Sequence, residues 1–403
     1  MMLHMWTRVG WAAACFAAIM GFSRLAYGVL IPPMRGSLGG TLSSYGAIGS
    51  ANMIGYLCGT LLTTRLARRP DRSRTNALAL FGMCAAMALS GLVQEPISLG
   101  VLRFIVGITS GIALALTLAL AVENIPPNRR GVAASIVWGG GTLGIAAIGA
   151  ASGLARASTD AWRFEWLAMG ILGACAVAVF ARLTSGSFAA AERRDEGGAV
   201  GILQRSRYLA LTIAYFLFGV GYIDVVTFFG AALARAHGMP IGVAWTVLGI
   251  SGLLGIVVWG PLVDRLRSGA AVAIAAAICA SGAALVAVGS PVAAFAGAVA
   301  IGVSFIGIPA MVGALLQQRE PPTRYPRAFA SMTVALGIGQ IIGPFAGGIV
   351  ADRVGTASAI ALGAIALGIG ACAAACYRRP RTEAVRAPGE ATSPLTRAAS
   401  AIG

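Results

Sequence analysis

A chain of 403 residues that is 58% hydrophobic and only 11% charged, with mean hydropathy +0.82, has too few charges to cover a water-facing surface; soluble domains carry about 25% charged residues. This excludes an ordinary soluble enzyme and points to a chain solvated mostly by lipid. The net charge of +16 comes from arginines in short clusters between apolar runs, which is not the continuous basic, aromatic-interleaved face that binds nucleic acid.

The first apolar run, 9–33, follows Arg8 and outlasts the core of a secretory leader, so it reads as a membrane helix. Eleven more follow, at 44–64, 76–94, 97–122, 132–154, 163–182, 208–233, 242–263, 270–289, 292–316, 328–351 and 356–377. A helix needs about 20 apolar residues to cross about 30 Å of hydrocarbon. The expected fold is therefore all-α, with twelve transmembrane helices in two six-helix bundles. The polar stretch 183–207 predicts a cytoplasmic linker between bundles 1–182 and 208–377, and 378–403 predicts a disordered cytoplasmic tail.

Most arginines, including Arg65, Arg68, Arg69, Arg72 and Arg74, fall on one side if the N-terminus is cytoplasmic; Arg35, Arg156, Arg163, Arg235 and Arg353 fall on the other. The positive-inside rule then places both termini in the cytoplasm. All seven cysteines lie in apolar runs and read as free thiols. His4 and His237 are the only histidines, so no metal or other cofactor is expected.

The halves echo each other at an offset of 198: Gly21 meets Gly219, Arg129 meets Arg327, Gly139 meets Gly337, Gly141 meets Gly339 and Gly149 meets Gly347. Two parallel repeats with a binding site between them are a transporter architecture. Glycines at four-residue spacing (Gly55/Gly59, Gly107/Gly111, Gly140/Gly144, Gly339/Gly343, Gly343/Gly347) predict close helix crossings. Pro344 and Pro309 each remove a backbone hydrogen bond in mid-span and predict bends.

Several motifs stand in order on these runs. "GPLVDRLRSG" (260–269) resembles the cytoplasmic-loop motif of the major facilitator superfamily, with Gly260, Asp264 and Arg265 in their expected places. "RFIVGITSG" (103–111), which begins at Arg103, resembles its helix 4 motif, and "GQIIGPFAGG" (339–348), with Gly343 and Pro344, its Gly-Pro motif. "GFSRLAYGVLIPPM" together with "GQIIGP" resembles the YbfB/YjiJ-like subgroup. The resemblance covers essentially all twelve runs. It implies a transporter without covalent chemistry, with gating roles for Arg103, Asp264, Arg265, Gly343 and Pro344. The chain departs from the pattern at Thr64, where an Asp is expected, in "GGGTLG", which lacks the proline, and at Asp224, where the subgroup carries no charge.

Arg24, Arg103 and Asp224 are the charges placed deep in the runs. A charge at mid-bilayer costs about 2.5–3.5 kcal/mol on insertion scales, so each should face the bundle interior or a wet cavity. At 1.5 Å per residue, Arg24 lies about 22 Å up the first helix and Asp224 about 24 Å up the seventh, so similar depths are expected. The two could form an inter-half salt bridge. Alternatively Arg24 binds an anionic substrate group, its planar fork suiting carboxylate, with Asp224 as proton carrier. A third reading gives Asp224 a cationic substrate or leaves the charges facing water. Tyr27, Asn52, Tyr56, Tyr222, Gln317 and Gln340 can add hydrogen bonds, and Trp138 either lines the cavity or packs. The reading is a monomeric secondary transporter in the bacterial inner membrane. It moves a small organic anion or zwitterion, coupled to protons as symporter or antiporter; efflux of a drug-like compound is the alternative, and a membrane sensor or embedded enzyme a remote one.

Overall fold

The computed structural model describes residues 2–66, 71–154, 160–185, 208–234, 240–321 and 323–377. Most of the expected linker and the whole expected tail lie outside the described residues. A helix occupies each predicted run. In chain order these are α1 (His4–Leu38), α2 (Leu42–Leu66), α3 (Arg72–Ser90), α4 (Pro96–Val122), α5 (Arg130–Leu154) and α6 (Ala161–Thr184). The second half holds α7 (Leu209–Leu233), α8 (Ile241–Leu266), α9 (Ala270–Val288), α10 (Pro291–Gln317), α11 (Tyr325–Arg353) and α12 (Thr356–Ala375). Among the described residues ten of them are long and apolar enough to cross a membrane by length and composition. The other two are α2, diluted by residues such as Ser50, Asn52 and Thr60, and α3, which begins on Arg72 and Arg74.

Local chemistry starts and stops these helices where the sequence allows. Asp71 accepts from the Arg74 N–H at 3.1 Å and caps α3, while Ser290 accepts from the Ala293 N–H at 3.2 Å ahead of Pro291. Gly289, at φ 81°, ends α9 in a left-handed conformation that costs glycine little. The bend expected from Pro309 is present as an interruption of α10 at Ile306, between Pro291–Phe305 and Gly307–Gln317. No break accompanies Pro344, where a bend is expected: α11 continues through it. A neighbouring helix supports it: the Ser50 hydroxyl of α2 donates to the Ile341 carbonyl at 2.6 Å.

Packing repeats between the halves. Within the first, α1 packs on α5 and α6, α2 on α4, and α3 on α4 and α6; within the second, α7 packs on α11 and α12, α8 on α10, and α9 on α10 and α12. The halves meet through α1 with α7, α2 with α11 and α5 with α8, pairs related by the same six-helix shift. Glycines let these backbones approach. Methyl groups on Gly55 and Gly59 would collide with α4, on Gly107 and Gly111 with α2, and on Gly339 and Gly343 with α7. Large apolar side chains such as Phe164, Val257 and Val292 point outward and are more than two-thirds exposed. Such a surface suits lipid rather than water. All seven cysteines are unpaired.

Candidate functional site at the interface of the halves

Two ends of the bundle can be distinguished: a terminal face, where α1 begins and α12 ends, and a distal face, where α1 ends and α2 begins. Arg24 sits between them, in a π-helical stretch of α1, Ala17–Leu25. This wider coil needs room, and the glycine-rich run of α5 provides it. A methyl on Gly140, Gly141 or Gly144 would run into Ala13, Met20 or Ala17, and one on Gly21 into Gly144. The π stretch was not foreseen from the sequence; Gly21 opposite "GGGTLG" is the feature that accommodates it.

Arg24 is buried, with 7% exposure, yet among the described residues its contacts are all uncharged. Nη2 donates to Gln340 Oε1 of α11 at 3.2 Å and approaches Met53 Sδ of α2 at 3.5 Å. The guanidinium lies 4.2 Å from the centre of the Tyr56 ring, a favourable cation–π placement. Arg24 thus touches α2 and α11, one helix from each half. The Tyr222 and Tyr215 phenols of α7 also lie within electrostatic reach.

Asp224 does not meet Arg24 in this structure. Its carboxylate is buried in its own half, between α11 and α12, where neither oxygen completes a well-formed hydrogen bond. A methyl on Gly347 would overlap Oδ1, and one on Gly363 would come within 3.0 Å of Oδ2. The two glycines form a cradle that only their missing side chains allow. The similar depths expected for Arg24 and Asp224 ignored direction around the helix. At the repeat offset, Arg24 corresponds to Tyr222. Asp224, two residues on, is turned by about 200° to the opposite face.

Arg103 is fully buried beneath the π stretch. It donates to the Ser23 carbonyl, its guanidinium packs 5.2 Å from the Tyr27 ring and 5.0 Å from the Trp166 ring, and among the described residues Nε and Nη1 find no hydrogen-bond acceptor. Asn52 donates to the Arg103 carbonyl at 2.6 Å and Tyr27 to the Tyr45 carbonyl at 2.7 Å, so both serve interhelical contacts. Arg24, Tyr27, Asn52, Arg103, Thr227 and Pro344 border a cavity of about 10 Å³, the room that a single water needs. Among the described residues no acidic side chain lines it.

The remaining candidates separate from this centre. Trp138 packs edge-on against Phe16, with ring centres 5.3 Å apart, and Gln317 is exposed at the end of α10. Asp264 Oδ1 accepts from Gln318 Nε2 at 3.2 Å, joining the ends of α8 and α10. In the first half, where Thr64 replaces the expected Asp, Glu123 accepts from Arg8 at 3.3 Å and Arg72 at 3.0 Å. Gly343 packs on Val220, and Pro344 packs on Gly46 and Gly49. Sequence reading missed Asp352. This residue lies at the distal end of α11 and accepts from the Leu42 and Ser43 N–H groups of α2 at 2.9 and 2.8 Å. A carboxylate at a helix N-terminus is favourable, and here it bridges the halves.

Residues 16–375 match a family profile described as "Uncharacterised MFS-type transporter YbfB". A protein of Pseudomonas putida named gallate transporter is 26% identical over 382 residues, covering 83% of this chain and 84% of that protein. A chloramphenicol resistance protein of Streptomyces lividans is 26% identical over 255 residues, 61% of this chain and 64% of its own. Among solved structures, the nucleoside transporter NupG superposes with TM-score 0.72 at 16% identity, covering 92% of this chain and 98% of NupG. A bacterial homologue of the human lysosomal transporter Spinster, in an inward-facing, occupied conformation, superposes with TM-score 0.73 at 15% identity over 92% and 96% of the two chains.

Proposed function

This chain belongs to the YbfB-type family of major facilitator superfamily transporters, and from that premise we propose that it moves a small organic anion across the bacterial inner membrane by alternating access, driven by protons. The observation that carries the reading is Arg24: a buried guanidinium at the meeting of the two halves, held by an amide, a thioether and a tyrosine ring and by no acid. A buried charge without a counter-charge is expensive. An anionic cargo supplies that counter-charge only while bound, and it engages α1, α2 and α11 together. The relative named gallate transporter supports an anionic cargo.

In this reading all twelve helices span, both termini are cytoplasmic as the arginine distribution requires, and the terminal face is the cytoplasmic one. Asp224 is the proton carrier. Its carboxyl is isolated from Arg24 but borders α11, the helix that holds Gln340, so a change in its charge acts on the same element that contacts the site. Arg103 braces the π stretch, and Asp352 closes the distal side. The relative named chloramphenicol resistance protein favours a second reading, proton-driven export of an uncharged drug-like compound.

Proteoliposomes with an imposed pH gradient test the proposal. Accumulation of a carboxylate that is lost in Arg24→Ala is expected. Transport of uncharged compounds alone, equal in wild type and Arg24→Ala, contradicts it and favours the export reading.

A further inference from the structure

The side chains around Arg24 have more to say than that an anion binds. Tyr215, Phe218 and Tyr222 occupy one face of α7, and Phe305 of α10 extends their row. Ring centres are 6.2, 4.9 and 5.8 Å apart, with planes inclined by 2°, 10° and 17°. The row is therefore a nearly parallel stack, and its Tyr215 and Tyr222 phenols lie within electrostatic reach of Arg24. Tyr56 of the opposite half lies under the guanidinium. All five rings are buried, at 9% exposure or less.

Buried phenols ordinarily donate to a protein acceptor, as Tyr27 and Tyr45 do here. Among the described residues the Tyr215 and Tyr222 hydroxyls donate to no protein group, and the Tyr56 hydroxyl faces the guanidinium; all three lie within electrostatic reach of Arg24. Two phenols without acceptors, a row of parallel rings and a guanidinium without an acid thus lie near one another between the halves.

We propose that the cargo is an aromatic carboxylate, whose carboxylate pairs with Arg24 and whose ring packs against the Tyr215–Phe218–Tyr222–Phe305 row between the halves. The phenols then supply hydrogen bonds to the carboxylate and to polar ring substituents. An alkyl chain in that place would use neither the rings nor the hydroxyls. This inference rests on the anion-transport reading and narrows it to a chemical class.

Binding of benzoate, 4-hydroxybenzoate, cyclohexanecarboxylate and butanoate to purified full-length protein separates the two. Aromatic stacking predicts benzoate binding about fivefold to tenfold tighter than the equally bulky cyclohexanecarboxylate. Tyr222→Leu should remove most of that ratio by weakening benzoate alone. Tyr222→Phe, which keeps the ring, should retain the benzoate preference and weaken 4-hydroxybenzoate. Equal affinity for benzoate and cyclohexanecarboxylate, or a ratio unchanged in Tyr222→Leu, overturns the aromatic class and leaves anion transport standing. Failure of all four acids to bind overturns both.

Discussion

Helices α1 and α7 are equivalent members of the two halves, each carries one buried charge at mid-depth, and they treat it in opposite ways. In α1 the backbone widens into a π coil, and Arg24 is aimed at the other half, among uncharged groups that can change partners. In α7 the helix stays regular, and Asp224 is turned into its own half, between two glycines. The first arrangement suits a group that meets a passing ligand. The second suits a group that holds and releases something as small as a proton, because a Cβ would already fill the space. The difference teaches that depth along a helix does not make two charges a pair; direction around the helix decides.

The comparison can be broken most severely at Arg24. Removing a charge-assisted hydrogen bond to a buried anion typically costs about 1.5–3 kcal/mol, so Arg24→Ala should lower kcat/KM for carboxylate uptake by about 10- to 100-fold. Arg24→Lys should recover only part of this, since an ammonium cannot present a planar fork. The charge exchange that pairs Arg24→Asp with Asp224→Arg is a sharper form of the test. If the two residues act at separate places, the double variant is inactive; restored uptake would show that they pair at some stage of the cycle.

At Asp224, the substitution Asp224→Asn should abolish accumulation driven by a pH gradient while leaving counterflow exchange within about twofold of wild type, because exchange needs no net proton movement. Equal accumulation by both proteins removes Asp224 from coupling. The cradle itself yields a stability prediction. Gly347→Ala places a methyl on Asp224 Oδ1, and overpacking costs typically about 1–3 kcal/mol. The melting temperature in detergent should fall by several degrees and recover when Asp224→Ala is added. The smallest effect is expected at the distal face. Asp352→Asn weakens the cap it places on α2, worth about 0.5–2 kcal/mol for a side-chain cap. Labelling of a cysteine placed at Ser43 should rise severalfold; an unchanged rate would mean that the contact does not hold the halves together.

Much of this was legible beforehand for physical reasons. Lipid demands long apolar helices, so the runs located the helices, including α2 and α3, whose polar residues dilute the signal. Close crossings demand small residues, so Gly55/Gly59 and Gly107/Gly111 announced close packing, whereas their facing each other across the α2–α4 contact emerges only in the structure. The site was less legible. Hydropathy does not distinguish an α from a π coil, so the turn that aims Arg24 was invisible. The direction of Asp224 was in fact written in the repeat, which aligns Arg24 with Tyr222, but it was hidden by reasoning from height alone. The Asp352 contact joins residues 310 positions apart, and no local pattern announces it.

The central claim is that Arg24 receives the negative charge of the cargo. Equilibrium binding of radiolabelled benzoate to wild type and Arg24→Ala, with both shown to be folded by an unchanged melting profile, tests it most directly. Saturable binding by wild type and a loss of at least about tenfold in affinity without the guanidinium are expected. Equal affinity in the two proteins would contradict it.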